Sequence, residues 1–107
     1  MHVAVARGLS ALLAAALLIS DASAYTIGRC ASEAEAAFDA LNIDRAKISR
    51  ARTDIQYSGS ETVYVSGVNL WLETPGCSGS VVVTFSGTCQ FTGTFERGSC
   101  TVADLRR

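Results

Sequence analysis

Cysteine is the residue type in this sequence of 107 residues whose spacing says most about chemistry. Cys30, Cys77, Cys89 and Cys100 are separated by steps of 47, 12 and 11 positions. Structural zinc sites take thiolates in close pairs, about two to four residues apart, and no CxxC occurs here. The same absence argues against thioredoxin-like exchange. An even cysteine count in a small exported chain reads instead as cross-links, and two disulfides are expected.

Other reactive side chains are sparse. The only histidine is His2. It sits in a stretch that reads as a cleavable secretory leader: Arg7, an apolar run from Leu9 to Ile19, then Ala22 and Ala24 in a small-x-small pattern. The run is roughly half the ~20 residues that cross a bilayer. Residues 1–24 are therefore expected to be a signal peptide cut after Ala24, and residues 25–107 a single small domain, periplasmic or secreted. No later stretch is long and apolar enough to span a membrane. Loss of the leader removes the histidine, and with it Ser-His-Asp and Cys-His nucleophile systems and His-bearing metal sites. No GxSxG, GxxxxGK, GxGxxG or DxDxDG motif is present, and no cofactor or metal is expected. Glu61, Glu73 and Glu96 are the carboxylates a hydrolase would need in pairs, but they fall near strand ends, where acidic residues commonly keep turns and edges soluble.

Beyond the leader, eight Lys or Arg face nine Asp or Glu, a net charge near −1. Nucleic-acid binding needs clustered cations, so no such partner is expected. The local exception is Arg45, Lys47, Arg50 and Arg52. This basic patch reads either as a site for an anionic partner or as a solvated face balanced by Asp44 and Asp54.

The elements that position these residues follow from periodicity. Ala34, Ala37, Phe38 and Leu41 recur at helical spacing, and Ser32 with Glu35 matches a capping box, predicting a helix over Ser32–Asn42. Extending it through Arg50 would put Arg45 and Arg52 on the face buried by Phe38, Leu41 and Ile48, so a strand over Lys47–Tyr57 is preferred. Ser58-Gly59-Ser60 makes a turn, and a second strand runs over Thr62–Thr74. Its apolar positions shift phase after Gly67, from Val63 and Val65 to Val68, Leu70 and Leu72. A bulge at Gly67 returns all five to one face. Trp71 then lies on the other face with Tyr64 and Asn69, joined by Tyr57 from the first strand. Pro75-Gly76 marks a turn. Strands over Ser80–Ser86 and Cys89–Arg97 follow, the latter with Cys89, Phe91, Gly93 and Phe95 on its buried side. Ala103–Arg107 reads as a short polar tail.

The fold class is α+β, with one N-terminal helix packed on a four-stranded antiparallel β-meander stapled by two disulfides. Three pairings of four cysteines are possible. If Phe85 faces Cys89, Cys77 falls opposite about Arg97, close to Cys100, which favours Cys77–Cys100 and leaves Cys30–Cys89.

This order of elements is similar in architecture to the cystatin protease inhibitors. Their first-loop Gln-x-Val-x-Gly pattern is not reproduced by Gln56-Tyr57-Ser58-Gly59-Ser60, nor is their second-loop Pro-Trp, since Gly76 follows Pro75. No residue role is carried over. The expected function is that of a small exported, non-catalytic module binding a protein partner through Trp71, Tyr64, Asn69 and Tyr57. An inhibitor or immunity-type protein acting through the Thr74–Gly79 loop is the alternative, and a small hydrolase is a third.

Overall fold

The structure, a computed structural model, describes residues 25–107. The leader expected over residues 1–24, with His2, lies outside the described residues.

Helix α1 spans Ala31–Leu41, an alanine-rich stretch of high intrinsic helicity. It turns Ala34, Ala37 and Phe38 inward. Its start differs from the capping box expected at Ser32. Cys30, in the left-handed region at φ 65°, precedes the helix, and Ser32 lies within the first turn. Glu35 is engaged elsewhere, by Arg45. At the other end Asn42 takes φ 59°. Its N–H donates to the carbonyl of Asp39 and that of Ile43 to Phe38, at 3.2 and 2.9 Å. These two bonds are the Schellman closure, with Ile43 and Phe38 both buried as its apolar pair.

The basic segment is neither all helix nor all strand, and the first strand begins at Arg50 rather than at the expected Lys47. Arg45–Lys47 forms one 3₁₀ turn, capped by Asp44, whose Oδ1 accepts from Ala46 N–H at 3.0 Å. The chain then threads Ile48 into the core and enters the first strand at Arg50. Strands β1 (Arg50–Ser58), β2 (Tyr64–Glu73), β3 (Gly79–Ser86) and β4 (Phe91–Gly98) form one antiparallel sheet in sequence order, the expected meander.

Two register shifts set the faces of this sheet. Gln56 faces Gly67 while Tyr57 faces Val65, so Ser66 is an extra residue in β2. This is the bulge expected at Gly67, and it places Val65 with Val68, Leu70 and Leu72 against the core. Val63 does not join them: it lies before the strand and is exposed. The second shift departs from expectation. Thr84 faces Gly93 while Phe85 faces Phe91, making Thr92 an extra residue in β4. Phe91 consequently shares a face with Phe85, and Phe95 is on the opposite one, paired with Val82. Gly93 holds the bulge at φ 153°, a backbone conformation that residues with a Cβ rarely adopt. Thr84 Oγ1 donates to the Gly93 carbonyl at 3.0 Å. With its single proton so used, it accepts from Thr92 Oγ1 at 2.7 Å.

The disulfides are Cys30–Cys89 and Cys77–Cys100, as expected. The register behind the second differs. Cys89, at φ 68°, belongs to the β3–β4 turn rather than to β4. Ser80 therefore faces Arg97 and Gly79 faces Gly98, which brings Cys77 level with Cys100 instead of Arg97.

The tail is structural. Helix α2 (Val102–Leu105) starts at Thr101, whose N–H and hydroxyl both reach Asp104 Oδ2, at 2.8 and 3.1 Å. Glu96 Oε2 accepts from Val102 N–H at 2.8 Å. Leu105 is fully buried, and Arg106 bridges to Ile43. The core thus joins α1, the connector residues Ile43 and Ile48, one face of the sheet and Leu105.

Leu105→Ala is expected to cost about 2–5 kcal/mol in urea unfolding, as a core truncation rather than a trimmed tail. Removing Cys30–Cys89, which closes 59 residues, should cost about 4 kcal/mol, against about 3 kcal/mol for Cys77–Cys100, which closes 23.

Candidate functional site

The bulge at Thr92 gives the sheet face away from α1 a centre of its own. Across the four strands, Arg52 faces Trp71, Trp71 faces Val82, and Val82 faces Phe95. Val82 is fully buried yet is not part of the main core cluster. Its cover is the aromatic pair on either side: Trp71 and Phe95 meet edge to face, centroids 5.9 Å apart. A guanidinium lies over each ring, Arg52 at 5.1 Å from Trp71 and Arg97 at 5.2 Å from Phe95. No other described element covers this face. The segment from Tyr25 lies on the opposite side, with the Tyr25 ring on Phe38 and Gly28 N–H donating to Thr53 Oγ1.

Beside Trp71 the adjacent row supplies Arg50, Glu73 and Ser80. With Arg52 and Trp71 they line a shallow pocket of about 110 Å³. Arg50 Nε stands 3.6 Å from Glu73 Oε2, an exposed pair of little strength. Arg52 and Arg97 have no carboxylate partner among the described residues. The Trp71 Nε1 donor is out of reach of water and meets no acceptor.

The four aromatic and polar candidates separate into two places. Trp71 and Asn69 belong to the face just described. Tyr57 and Tyr64 lie at the β1–β2 hairpin end, about 20 Å along the strand at ~3.3 Å per residue. There, β2 has run past its last β3 partner at Gly67. Tyr57 faces Val65 and so shares the core side of the sheet, beyond α1, not the Trp71 side. Tyr57, Tyr64 and Val63 are each more than half exposed.

The basic patch separates too. Arg45 ties the connector to α1: its Nε donates to Glu35, its Nη1 to Asp39 Oδ1 at 3.1 Å and its Nη2 to the Glu35 carbonyl at 3.1 Å, over the Phe38 ring. The Glu35 hydrogen bond raises the guanidinium pKa above its ordinary value, against a smaller opposing effect of desolvation. Lys47 donates its Nζ to the Arg106 carbonyl. Only Arg50 and Arg52 remain on the open face.

The three carboxylates do not converge. Glu61 lies in the β1–β2 loop, Glu73 is on the open face beside Arg50, and Glu96 on the core side caps α2. Among the described residues no three or more His, Cys, Asp or Glu gather as a metal site, and no helix is long and apolar enough to cross a membrane.

Phe95, Val82 and Arg97 were missed by sequence reasoning, which put Phe95 in the core. The signal was Gly93, an isolated glycine inside a strand.

Compared with known protein families, curated proteins and solved structures, the chain matches none. The likeness to cystatins rests on element order alone.

Phe95→Ala should cost about 1–2 kcal/mol, clearly less than Phe38→Ala at about 3–5 kcal/mol. It should also shift the emission of Trp71, the single tryptophan, to longer wavelength. Urea titrations followed by fluorescence measure both.

Proposed function

We propose that this chain is an exported, non-catalytic module that binds a protein partner through the open face of its sheet, with Trp71 as the anchor. The observation that carries this reading is the Trp71–Phe95 pair on a face that no described element covers, with Arg52 and Arg97 laid over the rings. Tryptophan and arginine dominate the energetics of protein interfaces. A rigid aromatic centre ringed by exposed polar groups matches the build of such surfaces. The two disulfides fit an oxidising compartment, in keeping with a periplasmic or secreted location.

The inhibitor or immunity-type alternative draws on the Thr74–Gly79 loop being held at its base. Cys77 is bonded to Cys100, and Ser78 and Ser99 exchange hydrogen bonds at 2.7 and 2.9 Å. It exposes Pro75 and Gly76, with no large apolar side chain to fill an enzyme cleft.

Trp71→Ala is expected to abolish partner capture in a pull-down from the native envelope fraction. It should leave cooperative unfolding intact with a loss of about 1–3 kcal/mol. Wild-type capture by a folded Trp71→Ala variant would refute the assignment, and Glu61→Gln, exposed in the β1–β2 loop away from the anchor, serves as the surface control.

A further inference from the structure

We infer that the partner presents a carboxylate to the pocket formed by Arg50, Arg52, Trp71 and Ser80; the inference rests on the open face being the binding surface. Three cations, Arg50, Arg52 and Arg97, surround the aromatic pair, and Glu73 is the one carboxylate lining the pocket. Asp54, opposite Asn69, is the other carboxylate of this face, so the three arginines leave it one net positive charge, on a chain that is slightly anionic as a whole. Complementary charge steers encounter and fixes register at interfaces.

Arg50, Arg52 and Ser80 line one small pocket, and their donors suit a planar anion. Arg50 already lies 3.6 Å from a carboxylate oxygen, and both guanidinium groups offer planar forks that match carboxylate geometry. A pocket of about 110 Å³ has room for one carboxylate with its adjoining methylene, or for about three waters. Arg52 rests on the Trp71 ring without an anionic partner. A protein segment is favoured over a lipid surface because the aromatic rings are capped and partly buried between strands rather than projecting as wedges. The exposed Tyr57, Val63 and Tyr64 lie at the β1–β2 hairpin end, away from the pocket.

The test uses the fluorescence of Trp71. The oxidised protein is titrated with an end-capped hexa-aspartate peptide, the matching hexa-asparagine peptide, inorganic phosphate, and phosphatidylglycerol vesicles. A saturable change with the aspartate peptide is expected, weakened about tenfold by Arg50→Gln with Arg52→Gln. Arg106→Gln with Arg107→Gln, an equal change in net charge away from the face, should leave it within about twofold. An equal response to the asparagine peptide, or indifference to the Arg50 and Arg52 substitutions, would overturn the carboxylate assignment. Tighter binding of phosphate or vesicles than of the aspartate peptide would overturn the assignment to a protein segment. In the pull-down, loss of capture by Trp71→Ala with full capture by the Arg50/Arg52 variant would leave the binding face standing and remove the carboxylate inference alone.

Discussion

Two extra residues, Ser66 in β2 and Thr92 in β4, govern which side chains this sheet buries and which it displays. Side chains alternate along a strand, so one inserted residue exchanges the faces of everything beyond it. In β2 the insertion keeps Val65 in line with Val68, Leu70 and Leu72 under α1. In β4 it works the other way: Phe91 stays with Phe85 on the core side, and Phe95 is turned toward Trp71. The open face owes its aromatic centre to that second insertion. Without it, Val82 would lack half of its cover and Arg97 would have no ring to rest on.

The rest of the chain is arranged around the first face. α1 lies against it, Cys30–Cys89 ties the start of α1 to the β3–β4 turn, and Cys77–Cys100 joins the start of β3 to the segment after β4. The C-terminal residues return to complete the core with Leu105 and to pair with the connector at Ile43. Even the basic segment is divided by this requirement. Arg45 and Lys47 are spent on holding α1 and the tail, through Glu35, Asp39 and the Arg106 carbonyl, while Arg50 and Arg52 are left on the open side. Burial on one face and a small, separate aromatic cluster on the other explain how a chain of this size keeps one sheet surface available.

Much of the fold was legible from local chemistry. The helix followed from apolar spacing at Ala34, Ala37, Phe38 and Leu41, the strands from alternation and turn residues, and the cross-links from cysteine count and spacing. The bulge at Gly67 was readable because five apolar residues changed phase across it. The bulge in β4 was not, because Phe91, Gly93 and Phe95 already alternate cleanly, and only the glycine hinted at an interruption. The disulfide pairing was reached through a register that differs from the true one. The four-residue turn displaces β4, yet Cys77 and Cys100 remain neighbours in either alignment. The tail was misread because a single Leu among polar residues carries no periodic signal; its burial comes from contacts made across the fold. The helix start was misread because the tether at Cys30, not side-chain capping, sets where α1 begins.

The same divide separates the parts of the site. Trp71 and the Arg50–Arg52 pair were recognisable by residue type and parity, whereas Phe95, Val82 and Arg97 depend on the phase of β4. The most direct test of this account is a nuclear Overhauser spectrum of the oxidised protein, reading proton contacts from the Trp71 indole. Cross-peaks are expected from the indole to the Phe95 ring and the Val82 methyls, with none from Phe95 to Phe38. Cross-peaks joining Phe95 to Phe38 would contradict it, since they would put Phe95 in the core and leave Trp71 without its partner.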